Sequence, residues 1–125
     1  MKQIVSTPHA PSSPLFSQGV AAGPFLFVSG MTGVDPETGR QAGDGIREQT
    51  RQAVRNGLAI VEAGGGAASD VVQVTVLLTR PDDFAGMNEA YAELFPGAPP
   101  ARAVTKLGVE LPGVLVSISM TAYIA

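Results

Sequence analysis

Cysteine is missing from all 125 residues, and with it go disulfides, thiolate metal sites and a cysteine nucleophile. The absence suits a reducing cytoplasm, the expected location. Histidine occurs once, as His9 in a proline-rich loop, so neither a histidine metal cage nor a Ser-His-Asp triad is expected. Long apolar runs are lacking as well. The opening MKQIVSTPHAPSSP holds none, so no secretory leader is expected. Later apolar stretches are broken by Gln, Ser and Thr well short of a membrane span. Positive charge is nowhere concentrated: 8 Lys and Arg stand against 11 Asp and Glu, for a formal charge of -3. Only Arg47, Arg51 and Arg55 line up, with the spacing of an outer helix face. Nucleic-acid binders draw most of their affinity from neutralising phosphates. No nucleic-acid partner is expected here, and a small-molecule function is.

What is present fits one domain over residues 1–125. A chain of this length buries roughly two-thirds of its unfolded surface, enough to fold without staples. Lys2 to Thr7 is a short strand candidate, and Pro8 to Pro14, with three prolines and two serines, is a loop. Ser17 to Ala22 and Pro24 to Ser29 read as a hairpin turning at Ala22-Gly23. Asp35-Pro36-Glu37-Thr38-Gly39 is a turn. From Asp44 the apolar period becomes helical. Ile46, Thr50, Ala53, Val54, Gly57, Ile60 and Val61 form one stripe, and Gly64-Gly65-Gly66 stops the helix. Those glycines follow a helix, whereas a phosphate loop follows a strand.

Val71 to Thr79 is a β-branched run and predicts a central strand. Asp82 or Asp83 is expected to cap a second helix that buries Phe84, Met87, Tyr91, Leu94 and Phe95. Ala101 to Val109 and Val114 to Ile124 read as the last strands. The fold class is α+β, a mixed sheet with two helices on one face. Val71–Thr79 and Val114–Ile124 are apolar, or small and neutral, on both sides. Strands of that kind are covered twice, yet two helices cover one face. Another copy of the chain is the expected cover; a sheet curled on itself is the alternative.

Six segments, in register over the whole length, resemble the RidA/YjgF family. They are Phe16-Ser17-Gln18-Gly19, Phe27-Val28-Ser29-Gly30, Asp35 to Gly39, Asp83-Phe84-Ala85 leading to Asn88 and Tyr91, Pro100-Ala101-Arg102, and Leu111-Pro112. The resemblance implies a chorismate-mutase-like homotrimer with a central barrel of three sheets and helices outside. It implies inter-subunit clefts that take a small carboxylate-bearing ligand, with neither metal nor organic cofactor. It also implies an activity: the arginine matching Arg102 holds the carboxylate of a 2-imino or 2-enamino acid. Water then replaces the imine nitrogen, leaving a 2-keto acid and ammonia.

The residues themselves leave alternatives beside those roles. Arg102 offers a planar fork suited to a carboxylate; without the resemblance, an edge-strand arginine in solvent or paired with Glu110 or another acid is the plainer account. Ser29-Gly30 ends a strand where the main chain can approach a ligand, or is a plain strand-ending turn. Asn88 either orients groups of the cleft or is a helix-surface amide. Backbone groups near Ser29, Ala103 and Val104 are candidates for positioning water. The chain departs from the family pattern at Phe16, where a tyrosine is usual, and at Ser119, which matches a glutamate proposed to handle water. Ser117 and Ser119 share a strand face, and neither is a useful base at neutral pH without activation. Three functions follow: an imine deaminase, a non-catalytic carboxylate binder, or a repurposed enzyme with an altered pocket. Some family members carry an endoribonuclease label, the reading least compatible with the acidic charge balance.

Overall fold

The computed structural model describes residues 1–125. Alternating apolar residues make the first three strands, β1 (Gln3–Val5), β2 (Gly19–Ala22) and β3 (Phe25–Met31). They pair antiparallel in chain order. The β2–β3 hairpin turns through Gly23 at φ +57°, a left-handed conformation that a side chain would strain. The helix α1 (Ile46–Ala63) follows, then β4 (Val71–Leu78), α2 (Phe84–Leu94), β5 (Ala101–Lys106) and β6 (Val116–Tyr123). The six strands form one sheet in the order β1-β2-β3-β6-β4-β5. Only β4 and β5 are parallel, with α2 as the crossover between them.

Both helices lie against the same face of the sheet, α1 over β3 and β6 and α2 beside α1. The core between them holds Leu26, Val28, Met31, Val74, Val76, Leu78, Val116, Ile118 and Met120. Along β6 the burial alternates: Val116, Ile118, Met120 and Ala122 are buried, and Ser117, Ser119 and Thr121 between them are half-buried. On that second face Phe27 stays 50% exposed, beside Phe25 and Tyr123. The helices therefore cover one face and leave the other open, as strand composition predicts.

The expected stripe of α1 is buried in full, but it is wider than the apolar residues alone suggest. Gln49 and Asn56 are also buried, because their amides serve backbone groups of neighbouring loops. Gln49 Nε2 donates to the carbonyls of Gly43 (3.0 Å) and Gly113 (2.8 Å), and its Oε1 accepts from Leu115 N–H at 2.9 Å. Asn56 Nδ2 donates to the carbonyls of Thr32 and Val34.

Three local expectations are corrected. Asp83 occupies the N-cap position of α2 but makes no side-chain cap bond. Its backbone is already helical (φ -83°, ψ -2°), whereas a capping side chain needs extended geometry to fold back. The carboxylate instead accepts from Arg80 Nε at 2.9 Å and Nη2 at 3.1 Å. Phe84 is 47% exposed rather than buried, since it opens α2 over the far end of β5. Finally, β5 stops at Lys106 and not at Val109, because its only strand partner, β4, ends at Leu78 opposite Lys106.

Candidate functional site

Two prolines, Pro99 and Pro100, bring the chain out of the α2–β5 loop in extended form, and Ala101 then begins the edge strand. The parallel register Val74↔Arg102 points Arg102 to the helix-covered side, because Val74 belongs to the core. There α2 receives it. Arg102 Nη1 donates to Asn88 Oδ1 at 2.8 Å. The guanidinium carbon lies 4.9 Å from the centre of the Tyr91 ring. Asn88 and Tyr91 are three residues apart on one helix face, so α2 holds the cation from below and from one side.

Arg102 forms no ion pair with Glu110 or any other acid; the ion pairs are Arg47–Glu89, Arg51–Glu93 and Arg80–Asp83. The Nε–Nη2 edge of its fork makes no protein hydrogen bond and keeps its parallel donors free for a planar anion. Tyr91 is buried, and its hydroxyl has no hydrogen-bond partner. Burial pushes its pKa above the ordinary tyrosine value, while the Arg102 charge acts in the opposite direction.

Val104 follows on the same face of β5 and is half-buried. With Leu78, Pro81, Phe84, Thr105 and Lys106 it lines a hollow of about 300 Å³.

Phe16, Ser29 and Gly30 form a separate group at the other side of the sheet. Buried Gln18 pins the loop before β2: its Nε2 donates to the carbonyls of Thr7, Ala10 and Pro11, and its Oε1 accepts from Thr7 N–H. Ser29 ties this loop to β3, its Oγ donating to Ser17 O at 2.6 Å and its N–H to Gln18 O at 2.9 Å. Phe16, at the tip of the loop, is 44% exposed. Gly30 sits where β3 slips register against β6, and a Cβ there would lie 3.0 Å from Ser117 Oγ. Ser119 is on the open face, opposite Thr75 of β4.

One copy of the chain thus unites Arg102, Asn88 and Val104, and separately Phe16, Ser29 and Gly30. It does not join the two groups. β6 and β4 lie between β3 and β5, a separation of about 14 Å at ordinary strand spacing, and Ser119 faces away from Arg102. No group of three or more His, Cys, Asp or Glu residues converges to hold a metal. Tyr91, Phe84 and Lys106 were not identifiable as site neighbours from the sequence. The available signal was the spacing of Phe84, Asn88 and Tyr91, which repeats every three or four residues on the helix preceding the arginine strand.

The family model described as Endoribonuclease L-PSP matches residues 7–124. A RutC family protein of Pyrococcus horikoshii is 42% identical over 125 residues, covering 98% of each chain. The mouse 2-iminobutanoate/2-iminopropanoate deaminase is 34% identical over 123 residues, spanning 98% of this chain and 91% of its own. The crystal structure of Escherichia coli TdcF, which holds bound serine, superposes with a TM-score of 0.92 at 31% identity, covering 98% of this chain and 99% of that one. With the match running from the N-terminal loop to the last strand, the chain belongs to the RidA/YjgF family, whose sequence model bears the endoribonuclease L-PSP description.

Proposed function

We propose that this protein hydrolyses 2-imino and 2-enamino acids to 2-keto acids and ammonia. The observation that carries the reading is the free fork of Arg102, seated on Asn88 and Tyr91 with no competing acid. A planar carboxylate fits that fork through a pair of charge-assisted hydrogen bonds. The iminium carbon next to the carboxylate then takes up water. Both protons of the water pass from the added oxygen to the nitrogen, the C–N bond breaks, and the nitrogen departs as ammonium, leaving the carbonyl of the 2-keto acid. Such imines are reactive already, so holding carbon and water in place supplies useful acceleration. The mouse relative bears the name of an imine deaminase, and the serine in TdcF is an amino acid with the carboxylate this reading requires.

The working unit in this proposal is a homotrimer in the cytoplasm. The open face, with Phe27, Leu77 and Thr121, offers apolar and small polar area suited to another copy. A second copy also brings its Phe16–Ser29–Gly30 group to the first copy's Arg102, which one chain cannot do. Light scattering should give three times the chain mass of 12.8 kDa. A folded species of single-chain mass would remove the shared cleft.

Ser119 and Phe16 favour a second reading, a carboxylate-binding protein without catalysis, because neither supplies a base or a phenolic hydroxyl. A single experiment separates them. An imino acid is generated in situ by an amino-acid oxidase, and its loss is followed with wild type and Arg102→Ala. Faster loss with wild type alone supports the deaminase. Loss at the buffer rate with both proteins, alongside Arg102-dependent binding of a 2-keto acid, supports the binder.

A further inference from the structure

In the sheet, β4 stands between β5 and β6. The chain leaving β5 must therefore pass over the end of β4 to reach β6. It does so as an arch, residues 107–115, with both feet tied down. At one foot Leu107 N–H donates to Leu78 O at 2.8 Å. At the other, Gln49 Nε2 donates to Gly113 O at 2.8 Å, and Leu115 N–H donates to Gln49 Oε1 at 2.9 Å. Between the feet the arch forms neither helix nor strand, and it spans a hollow of about 550 Å³ beside Thr79. Two kinds of surface line this hollow. Leu107, Val109 and Leu111 supply apolar area, with Val109 61% and Leu111 44% exposed. Lys106 and Glu110 supply one charge of each sign. Neither forms an ion pair, with the other or with any residue of the chain.

We infer that the arch binds a free α-amino acid with an apolar side chain, as its zwitterion. The carboxylate meets Lys106, the ammonium meets Glu110, and the side chain lies against Val109 and Leu111. Both polar contacts are charge-assisted hydrogen bonds of about 2.8 Å. Direct pairing of two exposed charges gains little, so a ligand that bridges Lys106 and Glu110 has little to displace. A simple anion in the hollow meets Glu110 as a repelling neighbour, and a simple cation meets Lys106. The pair thus rejects ligands that carry net charge, by repulsion as well as by attraction to the right one. The apolar residues add the second requirement, since a side chain laid on them removes their exposed area from water. The site is separate from the Arg102 grip. Lys106 follows Arg102 by four residues on β5, about 13 Å along the strand, and the contacts of Arg102 are with α2. The inference is therefore independent of the imine reading.

The test is calorimetric titration of the purified full-length protein with leucine, glycine, N-acetyl-leucine and leucinamide. Leucine is expected to bind about fivefold tighter than glycine, through the apolar area it covers. It should bind about tenfold tighter than N-acetyl-leucine, which lacks the ammonium, or leucinamide, which lacks the carboxylate. Lys106→Met and Glu110→Gln should each weaken leucine about tenfold. Both residues are exposed and both replacements keep side-chain size, so the fold is retained. Arg102→Ala should retain the leucine site. Leucine binding that disappears in Arg102→Ala and persists in Lys106→Met would place the amino acid beside the arginine and overturn the inference. N-acetyl-leucine binding as tightly as leucine would make the arch an anion site and overturn it equally. Absence of saturable heat at about 10 mM leucine would reduce the arch to a connection between strands, and the inference would fall.

Discussion

The Arg102 guanidinium lies over the Tyr91 ring at 4.9 Å while Asn88 accepts one of its N–H groups. The ring contributes a negative π-face, and the neighbouring Phe95 ring, 4.9 Å from Tyr91 between centres, limits its movement. Stacking of this type is worth about 0.5–2 kcal/mol, depending on exposure. Tyr91→Leu is expected to weaken 2-keto acid binding about three- to tenfold. Tyr91→Phe keeps the ring and discards a buried hydroxyl without a partner, so affinity should hold and stability should not fall. Calorimetric titration of both variants checks this; equal losses in the two would shift the role from ring to hydroxyl.

Gln49 joins α1 to two loops through three hydrogen bonds. Gln49→Met preserves volume but strands the Leu115 N–H and the carbonyls of Gly43 and Gly113. The expected cost is about 3 kcal/mol, read from urea unfolding, since each buried orphan costs about 1–3 kcal/mol. A change within 0.5 kcal/mol of zero, roughly the scatter of surface substitutions, would mean that water replaces the amide.

Two glycines against the helices should respond differently to alanine. A Cβ on Gly33 would stand 2.7 Å from Gln49 Cα and 2.8 Å from its carbonyl oxygen, both backbone atoms that cannot yield alone. Gly33→Ala should cost about 2 kcal/mol or more. A Cβ on Gly57 meets Met120 Cε, the mobile end of a side chain, and alanine gains about 1 kcal/mol of helix propensity. Gly57→Ala should therefore stay within about 1 kcal/mol of wild type. Thermal unfolding of the pair tests the order.

Acid should weaken the contact between α1 and α2. Arg51 donates to Glu93 at 2.7 Å, and this hydrogen bond and charge hold the Glu93 carboxyl below its ordinary pKa despite an opposing desolvation effect. A carboxyl whose pKa is lower folded than unfolded stabilises the fold above the ordinary glutamate value. That contribution disappears as pH falls through the lowered value. Glu93→Gln should flatten this part of the profile of melting temperature against pH, and added salt should mimic the variant because the pair is on the surface. A wild-type profile matched by Glu93→Gln throughout the acid range would refute it.

Much of the architecture was readable because its signals are local. The hairpin at Gly23, the α1 stripe and the glycine stop depend on period and turn chemistry alone, and they emerge at the expected places. So does the open sheet face, which follows from strands that are apolar, or small and neutral, on both sides. What escaped depends on partners distant in sequence. Asp83 looked like a cap until Arg80 and a helical backbone claimed it. Gln49 and Asn56 belong to the buried face of α1 but not to its apolar stripe, and the loop carbonyls they satisfy cannot be located without the fold. Tyr91 read as core, and it is core; its contact with Arg102 depends on the register of β5 against β4, which no local pattern specifies. The grouping of Phe16 with Ser29 was legible only through family resemblance and arises physically from the Ser29–Ser17 hydrogen bond.

The stripe formed by Phe84, Asn88 and Tyr91 divides two tasks along a single element. Its first residue borders the cavity, and the later two support the charge. Exchange at position 84 reshapes the hollow without touching the groups that seat the guanidinium, so the two ends of one helix face are free to vary independently.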